Sequence, residues 1–248
     1  VENSRRALAV ISAAFYDFPA SKLKVIGITG TKGKTTTALM LSSVLSQNGI
    51  SCGYIGSNGI EFAGNRFETR NTTPESLDLH YYFDQMVKAG VKAVALEVSS
   101  QALYLDRTYG IPFFVTAFTN LAPDHIGGAE HPTFEHYRDC KKKLFSDYTS
   151  EFAVFSATDE ASEYMSSDCR ALISTFGLEK GDFSASEITP FFDGGALGIE
   201  FECRALTKKC TVSLPMPGRF SAENALCAIA IAHRFGVGVD AAAEALAH

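Results

Sequence analysis

The sequence predicts an α/β protein with a mostly parallel, P-loop-type sheet that is flanked by helices and carries an antiparallel hairpin at one edge. Strand and helix patterns alternate along the chain, which is typical of βαβ units. The apolar, β-branched run Lys24–Thr29 indicates a buried parallel strand. Residues 196–214 indicate an antiparallel hairpin, so the sheet is expected to be mixed.

The remaining elements follow from local patterns. Apolar residues at helical spacing predict a helix over 36–45, and a turn at Gly64-Asn65 divides the strand region 59–67 into a hairpin. Pro74 and Glu75 suit the first turn of a helix over 74–89. Further strands are predicted at 52–56, 92–98, 113–118, 152–155 and 171–176, and further helices at 133–147, 221–235 and from Asp240. Residues 1–20 are expected to form a lead-in helix from a missing N-terminal domain, and residues 21–248 the central domain.

Composition excludes several classes of protein. The formal net charge of −6 over 248 residues argues against a general nucleic-acid or membrane-surface binder. The six cysteines include no Cys-x-x-Cys pair and no zinc-type spacing, so reduced thiols in a cytosolic protein are expected. No apolar run approaches the roughly 18 residues of a membrane span. Arg5-Arg6 and the apolar residues after them mimic a signal peptide, but we interpret them as an amphipathic helix.

A glycine-rich loop between the first strand and the next helix has the pattern of a phosphate-binding site. Backbone N–H groups of such a loop face phosphates, Lys34 neutralises them, and the Thr35 hydroxyl ligates Mg²⁺. Ile28 stands where the usual pattern has its first glycine, and the alternative is a Gly/Thr-rich turn without a ligand. The candidate residues are Gly30, Thr31, Lys32, Gly33, Lys34, Thr35 and Thr36.

Acidic residues follow two more predicted strands. Glu97 ends an apolar strand, and Asp124-His125 lie on the loop after Phe113–Phe118. Ligands of open α/β sheets bind at this carboxyl edge, so these side chains are candidate metal ligands. The alternatives are a solvated strand-end acid for Glu97 and an ordinary surface histidine for His125.

One lysine of the triplet Lys141–Lys143 differs from its neighbours. Helical spacing places Lys141 on the same face as Tyr137, Leu144 and Phe145, whereas Lys143 points roughly opposite. A buried amine is costly unless it is paired or modified, so Lys141 is a candidate site residue. The alternative is a solvated helix face.

Together these segments resemble the Mur ligases of peptidoglycan synthesis, and within them the UDP-N-acetylmuramoyl-tripeptide synthetases. Residues 29–36 are similar to that family's phosphate loop, which also lacks the early glycine. Residues 71–75 resemble its muramyl-peptide-binding turn, and residues 97–107 its metal and substrate segment. Residues 119–125 are similar to its second metal loop. Lys141 falls where the family has a carbamylated lysine, and residues 218–224 resemble its adenine-side segment. The substrate-binding residues implied by this resemblance are Asn71, Thr72, Thr73, Ser99 and Arg107, and Asn224 is implied on the nucleotide side.

The resemblance implies a central ATPase domain that uses ATP and Mg²⁺ and is inactive as a ligase by itself. Lys34, His125 and Lys141 would be catalytic, and Thr35, Glu97, His125 and carbamylated Lys141 would hold metal. The substrates would be UDP-N-acetylmuramoyl-L-alanyl-D-glutamate and a diamino acid, L-lysine or meso-diaminopimelate. Gln101 and the extended 124–132 loop resemble the lysine-adding branch. A cytoplasmic monomer without nucleic-acid or membrane partners is expected.

Three alternatives stay open. Folylpolyglutamate synthase resembles the Mur ligases in its loop and mechanism. A regulatory module could hydrolyse ATP without ligating anything, and it would have no use for Arg107 or Lys141. An inactive Mur-like subunit could work only with a partner.

Overall fold

The strands of the protein form a single mixed sheet. A computed structural model describes residues 1–124, 126–127, 130–193 and 195–247. Within them the strands are β1 (Lys24–Thr29), β2 (Cys52–Gly56), β3 (Gly59–Phe62), β4 (Asn65–Phe67), β5 (Ala93–Glu97), β6 (Phe113–Phe118), β7 (Ser150–Ser156), β8 (Leu172–Leu178), β9 (Phe183–Asp193), β10 (Ala196–Ala205) and β11 (Lys208–Leu214).

The helices pack on both faces of this sheet. They are α1 (Ser4–Phe15), α2 (Lys34–Gln47), α3 (Ser76–Lys88), α4 (Ser100–Tyr104), α5 (Phe134–Ser146), α6 (Ser162–Ser166), α7 (Arg219–His233) and α8 (Val239–Leu246). The predicted helices are all present, with bounds that differ by a few residues. Helix α2 already begins at Lys34, and Pro74 lies just before α3 rather than in its first turn.

The strand order is β11-β10-β9-β8-β7-β6-β1-β5-β2-β3-β4. All pairs from β9 to β2 are parallel, and antiparallel pairs follow at both ends. One end carries the β10–β11 hairpin and the other carries β3 and β4, which are joined at Gly64. The predicted sheet with its antiparallel edge is confirmed, and the turn predicted at Gly64-Asn65 contributes a second antiparallel edge.

Alternating residues of the central strand contribute to two hydrophobic cores. Ile26 and Ile28 pack with α2, α7 and α8 on one face. Val25 packs with α3 and α5 on the other face. Because both faces are covered, the residues between the ends of β1 and the first four residues of β5 are buried and apolar, as expected for central parallel strands. Their carboxyl ends, after Thr29 and at Glu97, therefore meet at one fixed edge of the sheet.

The cysteines, the helix lengths and the N-terminal segment can each be described from the structure. All six cysteines are free thiols. In the part of the chain that the structure describes, no helix is long and apolar enough to span a bilayer. The basic and apolar segment near the N-terminus forms helix α1, with Asn3 as its N-cap.

Candidate phosphate and metal site

The loop between β1 and α2 has the backbone of a phosphate-binding site. Gly33 caps α2 with φ 85°, a conformation that favours glycine. A Cβ atom at Gly33 would collide with the side chain of Asn224, so the position also requires glycine for close packing. The first turn of α2 leaves its N–H groups without intrahelical partners, and they suit an anionic ligand.

Two lysines point into the same loop. Lys34 Nζ donates to the carbonyl oxygens of Gly30 at 2.9 Å and Thr31 at 3.0 Å. Lys141 is 2 % exposed, and its Nζ donates to the same Gly30 oxygen at 2.9 Å. Burial lowers the pKa of both amines, and the positive charge of Lys34 lowers the pKa of Lys141 further, to well below its usual value.

Glu97 meets the start of α2 at the carboxyl end of β5. Its side chain is fully buried, and Oε2 accepts from the Thr35 hydroxyl at 3.0 Å. Oε1 accepts from the Tyr54 hydroxyl at 2.6 Å and from the backbone N–H of Ser57 at 3.0 Å. Burial and the bond to Glu97 raise the pKa of Tyr54, so this phenol stays a donor. A hydroxyl beside a carboxylate is a set of oxygen donors that suits Mg²⁺.

The turn before α3 is joined to the segment after β5. The Thr73 hydroxyl donates to the Glu97 carbonyl at 2.8 Å and accepts from the Ser99 N–H at 3.0 Å. Arg107 is buried, donates from Nη1 to the Thr73 carbonyl at 3.1 Å and forms an ion pair with Glu75 at 2.8 Å. The predicted muramyl-peptide turn and the predicted substrate segment are therefore parts of one hydrogen-bonded unit.

These elements enclose a cavity of about 450 Å³. Four of the predicted site residues do not line this cavity: Gly30, Thr36, Thr73 and Asn224. Gly30 and Thr73 nevertheless form hydrogen bonds with residues that do line it. Asn224 lies against the loop at Gly33, and the Thr37 hydroxyl donates to its Oδ1 at 3.4 Å. The lining consists of Thr31, Lys32, Gly33, Lys34, Thr35, Ser57, Arg70, Asn71, Thr72, Glu97, Ser99, Ser100, Gln101, Arg107, Glu130, Tyr137 and Lys141.

The loop after β6 fixes the other side of the phosphate loop. Asn120 Oδ1 accepts from the Lys32 N–H at 2.9 Å, and Asp124 pairs with Lys32 Nζ at 3.1 Å. A hydrogen bond of 3.0 Å joins the Thr31 hydroxyl to Tyr137 OH on α5. His125, the predicted second metal ligand, lies outside the described residues.

Several residues that shape the site carried no clear signal in the sequence. Tyr54 and Ser57 hold Glu97 only because β2 lies beside β5, with Tyr54 paired to Ala95. Tyr137 was noted for its buried face but not for its bond to Thr31. Asn120 belongs to the segment 119–125, in which the sequence singles out only Asp124 and His125.

Comparison with known proteins identifies this architecture. Residues 28–232 match the family model of the Mur ligase middle domain. The chain therefore belongs to the Mur ligase middle domain family, as the sequence motifs predicted.

Several relatives with curated names are ligases of one kind. The chain is 38% identical over 251 residues to the UDP-N-acetylmuramoyl-L-alanyl-D-glutamate--2,6-diaminopimelate ligase of Caldanaerobacter subterraneus subsp. tengcongensis, covering 100% of this chain and 50% of that protein. It is 37% identical over 240 residues to the ligase of the same name from Bacillus licheniformis, covering 94% and 48%. The chain thus spans about half the length of the curated relatives it matches.

Solved structures agree on the fold. A structure of a UDP-N-acetylmuramoyl-L-alanyl-D-glutamate--2,6-diaminopimelate ligase superimposes with a TM-score of 0.81 at 26% identity, covering 91% of this chain and 46% of that one. The folylpolyglutamate synthase of Mycobacterium tuberculosis gives a TM-score of 0.77 at 16% identity, covering 98% and 62%. At this low identity, the similarity to folylpolyglutamate synthase shows only that the two proteins share a fold.

Proposed function

We propose that this chain is the ATP-binding part of an ATP-dependent amide ligase that adds a diamino acid to UDP-N-acetylmuramoyl-L-alanyl-D-glutamate. The contact between Thr35 Oγ1 and Glu97 Oε2 beside the phosphate loop carries the proposal. It places a hydroxyl and a carboxylate together where a metal-bound triphosphate is expected. The names of the relatives favour diaminopimelate as the amino acid, with L-lysine as the alternative.

In this proposal the loop residues Gly30–Thr36 and the start of α2 bind the phosphates of ATP, with Asn224 on the nucleotide side. Thr35 and Glu97 hold one Mg²⁺, and His125 and Lys141 hold a second. Bound Mg²⁺ supplies positive charge where two anions must approach each other. Lys34 stabilises the charge that develops on the transferring phosphoryl group.

The chemistry has two steps, a phosphoryl transfer followed by an acyl transfer. The D-glutamyl carboxylate attacks the γ-phosphorus of ATP, ADP leaves, and an acyl phosphate forms. The amine of the diamino acid then attacks the acyl carbon, phosphate leaves, and the amide is complete once the amine loses a proton. Asn71, Thr72, Thr73, Ser99 and Arg107 orient the muramyl dipeptide so that its carboxylate faces the phosphate loop.

Lys141 acts in this scheme as a carbamate. Its neutral amine attacks the carbon of CO₂, a nitrogen–carbon bond forms, and one proton leaves for solvent. The product is an anionic oxygen ligand in place of a buried neutral amine. Burial and the neighbouring Lys34 support this role because both favour the neutral amine.

Ligand-induced thermal stabilisation tests the substrate class. The chain is heated with Mg²⁺ and a non-hydrolysable ATP analogue, with either UDP-N-acetylmuramoyl-L-alanyl-D-glutamate or a folate added. We expect a further rise in melting temperature with the muramyl dipeptide and none with the folate. The reverse result would support a folylpolyglutamate synthase. A response to the nucleotide alone would support a regulatory ATP-binding module.

A further inference from the structure

We propose that His131, His136 and Cys140 form a further metal site, distinct from the proposed Mg²⁺ ligands and suited to a borderline transition ion such as Zn²⁺. Their ligand atoms lie within 4.8 Å of one another, and they form the one group of this kind found among the described residues. Neither the comparisons nor the proposed ligase chemistry uses them. The proposal therefore stands independently of the proposed function.

The geometry of the three side chains is close to that of a metal site. Nδ1 of His131 lies 2.9 Å from Nδ1 of His136, and Cys140 Sγ lies 3.8 Å from the same nitrogen of His136. Typical bonds of about 2.0–2.1 Å from Zn²⁺ to nitrogen and about 2.3 Å to sulfur place ligand atoms roughly 3.3–3.7 Å apart in a tetrahedron. All three ligand atoms lie within 4.8 Å of one another, so changes of about 1 Å or less in these distances would bring them into one coordination sphere.

The backbone already supports this arrangement. His136 and Cys140 are four residues apart on α5, so both side chains project from one face of the helix. His131 is fully buried just before the Thr133 N-cap, and its ring packs 5.2 Å from the ring of Tyr137. Only small side-chain movements are required, because a helix and a buried ring fix the positions.

A hydrogen bond at the other ring nitrogen of His131 is a second observation that supports the metal site. Its Nε2 lies 2.9 Å from the Ser100 hydroxyl on α4, while Nδ1 faces the other two ligands. A histidine that binds a metal through one nitrogen usually has the other nitrogen bonded to a polar group, which fixes the ring and the tautomer. Ser100 is therefore a positioning residue for this site.

The donor set selects the class of metal. A thiolate and two imidazoles suit Zn²⁺ and related ions, whereas Mg²⁺ prefers oxygen ligands such as Thr35 and Glu97. Binding would displace the Cys140 thiol proton to solvent and leave unprotonated nitrogens facing the ion. With three protein ligands, the fourth position is open to water or to another ligand. The half-buried ring of His136 gives the ion a route from solvent.

The proposal is tested by titrating Co²⁺ into the chelator-treated 248-residue chain in excess Mg²⁺, which occupies oxygen-ligand sites. We expect one equivalent of Co²⁺ to produce a thiolate-to-metal charge-transfer band, and Zn²⁺ to displace it. The band should vanish in Cys140→Ser, and the affinity should fall at least tenfold in His136→Ala. Ser100→Ala should keep the band and weaken Co²⁺ binding by about 10–100-fold.

Cys169→Ser is the matched control, because Cys169 is a partly exposed free thiol that does not belong to the group of His131, His136 and Cys140. Its band should equal that of the unmodified chain. X-ray absorption of the Zn²⁺-loaded chain needs no variant and should show one sulfur and two imidazole ligands. Absence of the band, its survival in Cys140→Ser, its loss in Cys169→Ser, or a zinc shell without sulfur would each overturn the proposal.

Discussion

Lys34 and Lys141 donate hydrogen bonds to the same acceptor, the carbonyl oxygen of Gly30, each at 2.9 Å. Two ammonium groups on one oxygen repel each other, and burial adds the cost of desolvating each charge. Lys141 is the more deeply buried of the two, and its pKa is lowered well below the usual value. The pair therefore favours a charged Lys34 beside a neutral Lys141.

A neutral Lys141 predicts that the chain captures CO₂ at this amine. In ¹³C-bicarbonate buffer, we expect a carbamate carbon signal by NMR from the wild-type chain and none from Lys141→Met. Lys143→Met is the matched control, because Lys143 lies on the same helix but is only half-buried. A spectrum without the signal, or one in which the signal survives Lys141→Met, would contradict the prediction.

Lys34→Ala should weaken ATP binding while leaving the fold intact. Lys34 is half-buried at the start of α2 and is not an exposed loop residue, and its predicted role is to supply charge to the phosphates. Hydrogen bonds to charged groups are worth about 1.5–3 kcal/mol, so affinity should fall roughly 10–100-fold. Calorimetric titration of ATP–Mg²⁺ measures this. Lys88→Ala is the control: it removes an exposed partner of Asp84 and should bind ATP–Mg²⁺ like wild type. If Lys34→Ala also binds ATP–Mg²⁺ as tightly as wild type, the interpretation of the loop as a phosphate site is wrong.

Glu97→Gln should abolish the Mg²⁺-dependent part of ATP binding. The amide keeps Oε1 for Tyr54 and Ser57, and its NH₂ can donate to the Thr35 hydroxyl, so the fold should be preserved. Only the charge that attracts the metal is lost. Titrations with Mg²⁺ and with EDTA should give similar affinities for the variant, whereas Mg²⁺ should tighten wild-type binding about tenfold or more.

The matched control for this charge loss is Glu61→Gln. Glu61 lies on β3, which β2 separates from β5, and pairs with Arg66 at 3.4 Å. This variant should keep the full effect of Mg²⁺. If it loses the effect as Glu97→Gln does, the metal does not depend on Glu97 in particular.

The predictable part of this site is local in sequence. The phosphate loop follows from one strand, a few glycines and one helix, and the burial of Lys141 follows from helical spacing on α5. The partners of Glu97 depend instead on the register of β2 against β5, which no local pattern specifies. His136 and Cys140 have the i, i+4 spacing that places two side chains on one face of a helix. A search for pairs of cysteines does not detect this spacing, because only one of the two residues is a cysteine.

Strand β9 was not predicted, and Pro190 explains why. A proline inside a strand pattern usually argues against a central strand, because it lacks the N–H that a ladder needs. In the structure β8 pairs only with residues 183–185 of β9, and Pro190 pairs with Ile199 of β10. Pro190 thus lies where β9 has one neighbouring strand, and the proline is tolerated there.

His80 predicts a pH-dependent stability. It is buried on α3, and burial lowers its pKa from 6.5 to about 4. Between these values the unfolded chain binds a proton that the folded chain does not, so stability falls as the pH falls. Relative to His80→Leu, the free energy of unfolding of wild type should decrease by up to about 1.4 kcal/mol per pH unit in this range. Urea unfolding across the range tests this, and parallel pH profiles would refute it.

Arg107→Lys should separate substrate binding from nucleotide binding. Arg107 lines the cavity and holds both the Thr73 carbonyl and Glu75. A lysine keeps the charge but offers one compact ammonium, which cannot reproduce the planar fork. ATP–Mg²⁺ affinity should stay unchanged, while the muramyl dipeptide concentration needed for half-maximal thermal stabilisation should rise about tenfold, a cost of roughly 1.4 kcal/mol.

Arg138→Lys, at a more exposed pair with Asp139, should leave both values unchanged. Loss of ATP binding in Arg107→Lys would assign the residue to supporting the phosphate loop, and an unchanged dipeptide response would leave it a purely structural role.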